Sequence, residues 1–156
     1  MIRVEIANEQ SKHVFDSQLL QAAVRAVLEG ESIQEADVSI AIVDDPAIHI
    51  LNRKYLEHDY ATDVLSFLLS SGDEPLEGEI IVSADTAERE SSHYGWHAID
   101  ELLLYLIHGT LHLVGYDDAS DADRKTMRAK EHEYLTKLGR PPQTETGRID
   151  LRGASS

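Results

Sequence analysis

The chain has 156 residues, which fits one domain and leaves a second undersized. Fourteen Lys and Arg against 29 Asp and Glu leave a formal charge of −15; such a chain repels nucleic acid at long range and gains little from counterion release, which disfavours a duplex-DNA binder but not a nuclease that meets RNA through a metal or inside a larger assembly. Cysteine is absent, which excludes disulfide scaffolds, thiolate zinc, iron–sulfur clusters and thiol nucleophiles and is compatible with a reducing cytosol.

The N-terminal Met1-Ile2-Arg3-Val4-Glu5-Ile6 alternates and is charged, so it lacks the layout of a signal peptide. Period two predicts a half-buried strand over 2–6. Asp16-Ser17 open a helix whose Leu19, Leu20, Ala23, Val24 and Val27 share a face, and Gly30 ends it. Val38 to Val43 reads as a second strand. Asp44-Asp45-Pro46 starts a helix that runs to about residue 56. A third strand is expected over Asp63–Leu69, a loop over 70–75, a fourth strand over Glu79–Ser83 and a helix over Ala84–Ser92. His97 to Leu113 is apolar nearly all round, the mark of a buried helix. Its unbroken apolar run, Leu102–Ile107, is far too short to span a membrane. Residues 121–138 predict a last amphipathic helix carrying Met127, Ala129 and Leu135. From Gly139 periodicity stops, so 1–138 is read as the domain and 139–156 as a flexible tail. The element order favours an α+β fold.

The nine glycines form neither a dinucleotide turn nor a phosphate loop, and no Gly-x-Ser-x-Gly elbow is present. Nucleotide-driven chemistry is therefore disfavoured.

His108 and His112 lie four apart on the buried helix, offset by roughly 40° and about 6 Å along its axis, so both imidazoles can reach one metal. Asp117 and Asp118 follow the turn at Gly115-Tyr116, where a carboxylate can close a third position. Two imidazoles among leucines need partners, and either a metal or core hydrogen bonds would supply them. His93 and His97 form a rival pair, but Gly95 and a helix start lie between them. His13, His49, His58 and His132 lack a partner at ligand spacing and read as surface residues. Glu101 is two turns before His108, roughly 10 Å along the axis and too far to share a metal, which leaves it a structural acid or a support for a ligand. A helix-borne zinc peptidase needs Glu directly after the first His, and Gly109 cannot act as a base.

His108-Gly109-Thr110-Leu111-His112-Leu113-Val114-Gly115-Tyr116-Asp117 closely resembles the H-G-x-L-H-L-x-G-Y-D-H signature of the YbeY endoribonuclease family, the ribosomal RNA maturation factors. Thr62-Asp63-Val64-Leu65-Ser66-Phe67, preceded by Leu51-Asn52 and Tyr55, forms a second matching block, and Gly78-Glu79-Ile80-Ile81-Val82-Ser83 with Thr86-Ala87-Glu88-Arg89-Glu90 a third. The spacing of Met127 and Glu131 fits as well.

The resemblance implies a zincin-like α+β domain with a small, mainly four-stranded sheet and one zinc ion held by three motif residues. It also implies a cytoplasmic protein that cleaves single-stranded RNA in ribosomal RNA maturation and ribosome quality control, with the ribosome or its proteins as partners. Two positions depart from the family. Asp118 stands where the third ligand is His; a carboxylate binds zinc at about 2.0–2.2 Å and acidifies the bound water less, and two His with one carboxylate also suit iron or manganese. Leu56 stands where the family usually has an Arg thought to contact substrate phosphate. The ligand set carried over is His108, His112 and Asp118, with Asp117 an alternative ligand. His108 and Asp117 are the catalytic candidates, and Asp63 and Ser66 further candidates for moving a proton. Two other functions fit the same residues: a non-catalytic ribosome-associated module with a structural metal, and another metal-dependent hydrolase or an iron oxygenase.

Overall fold

The computed structural model describes residues 1–56 and 64–140. Asp59, Thr62, Asp63 and His58 fall outside these residues, as does the expected tail from 141 onward.

Four strands form one sheet: β1 (Ile2–Asn8), β2 (Ala36–Val43), β3 (Val64–Leu68) and β4 (Leu76–Ser83), in the order β1-β2-β4-β3. β2 runs parallel to β1 and to β4, whereas β3 pairs antiparallel with β4 as the other arm of a hairpin, with Ser66 opposite Ile80. β4 begins three residues earlier than the sequence predicts. Gly78 interrupts its apolar alternation, and the reason is packing: a Cβ there would lie 2.7 Å from Leu113 Cδ1.

Helix α1 (Ser17–Gly30) starts where Asp16 accepts hydrogen bonds from the N–H groups of Gln18 and Leu19, an N-cap that satisfies two otherwise unpaired donors. Its apolar face packs against one side of the sheet with α4 (Ala98–Leu113). Nearly every residue of α4 from Asp100 to Leu113 is buried, His112 being the exception. That is why it tolerates no polar stripe: the sheet, α1, α3 (Ala84–Tyr94) and α5 (Asp121–Lys137) surround it. The opposite side of the sheet carries α2 (Asp45–Leu56), whose Ile48 joins Val43, Leu65 and Ile81 in a smaller core.

The buried face of α5 consists of Met127, Glu131, Tyr134 and Leu135. Ala129, expected on that face, is exposed, because two residues advance the helix by about 200° from Met127. Beyond α5, the Arg140 N–H bonds to the Leu135 carbonyl at 2.9 Å and its guanidinium lies 3.0 Å from Asp100 Oδ1. Gly139 and Arg140, expected in the tail, are thus attached to the domain.

Two polar knots fix helix ends. Asp45 at the start of α2 accepts from Ser83 Oγ and Thr86 Oγ1, both at 2.6 Å, and from Arg89 at 2.9 Å. Burial acts to raise its carboxyl pKa, and the donors from Ser83, Thr86 and Arg89 overcome it, leaving the value below the ordinary range. At the end of α1, Glu31 accepts from Tyr116 at 2.7 Å, Lys130 at 3.2 Å and the Tyr134 hydroxyl. Among the described residues no helix is long and apolar enough to cross a membrane.

Candidate metal centre

The C-terminal half of α4 lies close over β3 and β4, and Gly109 permits that approach. A Cβ at 109 would sit 2.9 Å from Ile80 Cγ2 and 3.2 Å from Ser66 Oγ, closer than atoms pack without displacement. The glycine that rules out a peptidase base therefore also seats the helix. His108 is buried beside it, and His112 follows one turn later, half-buried.

After α4 the chain turns at Gly115 and is held at several points. Tyr116 reaches Glu31, the Asp118 N–H donates to Asp117 Oδ1 at 2.8 Å, and Arg124 donates to the carbonyls of Asp118 and Ala119, each at 3.2 Å. Ser120 then caps α5 by accepting from the Asp123 N–H at 3.0 Å. These bonds deliver the Asp118 carboxylate to the two imidazoles.

The result is a triangle. His108 Nε2 and His112 Nε2 are 3.1 Å apart, and Asp118 Oδ2 is 3.5 Å from each. Three donors at zinc–nitrogen or zinc–oxygen distance from a tetrahedral ion would be separated by about 3.3 Å. The donor types and their spacing therefore fit a divalent metal without rearrangement. His108 Nδ1, on the far side of that ring, lies 2.6 Å from Glu131 Oε2 on α5. The facing imidazoles, His108 foremost and His112 with it, hold the Asp118 carboxyl down at about 2. Burial, with His108 alongside, pushes the His112 imidazole below its usual value, which favours the neutral ring that ligates metals.

His108, His112 and Asp118 form the one group of three or more metal-ligating side chains among the described residues. Asp117 is exposed and stands outside it. The rival histidines are apart from it too: His93 lies in the last turn of α3, His97 precedes α4, and both are exposed. Glu101 is fully buried and accepts from Trp96 Nε1 at 2.8 Å. His132 is exposed as expected, whereas His49 and His13 are half-buried, His13 lying 3.5 Å from Asp85. Leu56 is the last residue of α2. In the sequence Glu131 enters only through its spacing from Met127 and has no role at the site, although the spacing of Met127, Glu131, Tyr134 and Leu135 at i, i+4, i+7 and i+8 places it on the buried face.

Comparison with known proteins shows what the chain is similar to. The sequence model of the family described as Endoribonuclease YbeY matches residues 5–139. An endoribonuclease YbeY from Pelotomaculum thermopropionicum is 42% identical over 148 residues, covering 86% of this chain and 96% of that protein. One from Salinibacter ruber is 36% identical, covering 85% and 89%. Among solved structures, the solution structure of TM1509 from Thermotoga maritima superposes with a TM-score of 0.62 at 28% identity, covering all of this chain and 96% of that one.

Proposed function

The chain belongs to the endoribonuclease YbeY family, and from that premise we propose that it is a metal-dependent endoribonuclease that cleaves single-stranded RNA during ribosomal RNA maturation. The single observation that carries this reading is the convergence of His108 Nε2, His112 Nε2 and Asp118 Oδ2. Three groups that each present a lone pair repel one another unless a cation or a proton lies between them.

In this reading His108, His112 and Asp118 hold one ion, zinc first among the choices, with iron or manganese admitted by the carboxylate. When bound, the ion supplies Lewis-acid activation of a phosphate oxygen and of water. The protein's own part is to fix the donors. α4 sets the two imidazoles one turn apart, and the tethered 115–120 loop presents Asp118. Asp117, exposed beside the third donor, is positioned to exchange a proton with the RNA or with solvent water. Cytoplasmic location and a role in ribosome quality control follow from the same family premise. The domain proper is residues 1–138, with Gly139 and Arg140 fastened to it.

A second reading is favoured by two observations, the −15 charge and Leu56 in place of a cationic residue: a ribosome-associated module whose metal is structural and whose acidic surface meets basic proteins. Cleavage assays separate the two. The intact, zinc-loaded chain is expected to cut a single-stranded ribosomal RNA fragment, and His108→Ala to reduce the rate at least about a hundredfold with the circular dichroism unchanged. Absence of cleavage by the loaded wild type would favour the module.

A further inference from the structure

Resting on the reading of the triangle as a metal site, we propose that Glu131 is a positioning residue for it: from α5 it holds the His108 ring with Nδ1–H turned away and the Nε2 lone pair directed at the ion. A carboxylate can only accept, so the 2.6 Å contact requires the proton on His108 Nδ1. A neutral imidazole protonated at Nδ1 carries its lone pair on Nε2, the nitrogen that faces His112 Nε2 and Asp118 Oδ2. The contact therefore selects both the tautomer and the ring orientation that ligation needs.

Burial makes the choice of residue informative. Glu131 is 6% exposed and occupies the packed face of α5 between Met127 and Tyr134, where a leucine would satisfy the core. Placing a carboxylate there costs stability unless it is paired. Its partner is His108, 23 residues earlier on another helix. Charge points the same way. The triangle has one formal negative charge, on Asp118, and Glu131 behind His108 adds a second, which balances a divalent cation in a half-buried site. A carboxylate behind a ligating imidazole also strengthens it as a donor.

The test compares zinc affinity, measured by competition with a chromophoric chelator, for the wild type, Glu131→Gln and His112→Ala. Glu131→Gln keeps the size of the side chain and an accepting oxygen but removes the charge. It is expected to bind zinc about 10–100-fold more weakly while its metal-free unfolding midpoint stays near that of the wild type. A merely structural tie between α5 and α4 would leave the affinity unchanged. Long-range proton–nitrogen spectra of metal-free wild type should identify Nε2 as the lone-pair nitrogen of His108, a readout that needs no variant. Wild-type affinity in Glu131→Gln alongside lost affinity in His112→Ala would overturn the role of Glu131 and leave the metal site standing. A lone pair on Nδ1 would overturn it as well. Undiminished zinc binding by His112→Ala would overturn the metal site itself.

Discussion

The Asp45 knot and the Asp118 corner are both carboxylates among polar side chains, one at the start of α2 and one in the loop between α4 and α5, and they differ in what faces them. Asp45 is met by two hydroxyls and a guanidinium, all donors. Asp118 is met by two imidazole nitrogens that are themselves 3.1 Å apart. The first arrangement is complete as it stands. The second has a surplus of acceptors and is completed only by something positive. A polar cluster is thus assigned to architecture or to ligand binding by balancing its donors against its acceptors, more than by its burial or its charge. The Glu31 knot, with two phenols and an ammonium as donors, falls with Asp45.

Adding metal tests that contrast most severely. Zinc at about a thousand times its dissociation constant should stabilise the wild type by about 4 kcal/mol, read as a rise in the thermal midpoint, and His112→Ala should lose the whole of that rise. A midpoint in His112→Ala that still climbs with zinc would place the ion elsewhere. The smaller, opposite test is Asp45→Ala, which strands the Ser83 and Thr86 hydroxyls and the Arg89 guanidinium. It should cost about 1–3 kcal/mol in urea unfolding and leave the zinc-induced stabilisation untouched. Smallest is an effect of pH. The Asp45 carboxyl lies lower in the folded state than in the unfolded chain, where it is near 3.9. Its contribution is therefore complete above about pH 4 and is lost as pH falls through the folded value. Unfolding midpoints of metal-free Asp45→Asn should lack that part of the acid limb seen in the wild type; identical acid limbs would show that the knot is not charged.

Much of this was legible in the order of residues. The i, i+4 pair on an apolar helix, the aspartate after the turn, the Asp16 cap and the alternation in β1 are local signals, and local geometry honours them. The readings that shifted are those decided by contacts far apart in sequence. Gly78 hides the first three residues of β4 because its cause, Leu113, is 35 positions later. Ala129 belongs with Met127 and Leu135 by residue type, but its helical angle turns it to solvent. The spacing of Glu131 is legible, but its place at the site is not, because a charged residue on a buried face becomes meaningful only once α5 is known to lie beside His108. The sheet order, with the hairpin arm β3 at the edge next to β4, likewise depends on pairing that no single segment encodes.

The last strand ends at Ser83, and the first of the converging nitrogens belongs to His108. A ribosome making this chain from its N-terminus therefore finishes every strand among the described residues before it adds the first atom of the triangle. The central helix, apolar on nearly all sides, emerges to find its seat already specified. The triangle of His108, His112 and Asp118 closes only when Asp118, and behind it α5, leave the exit tunnel. On the function proposed above, loading would consequently be the closing act of biogenesis, with the newly translated molecule held until then by packing alone.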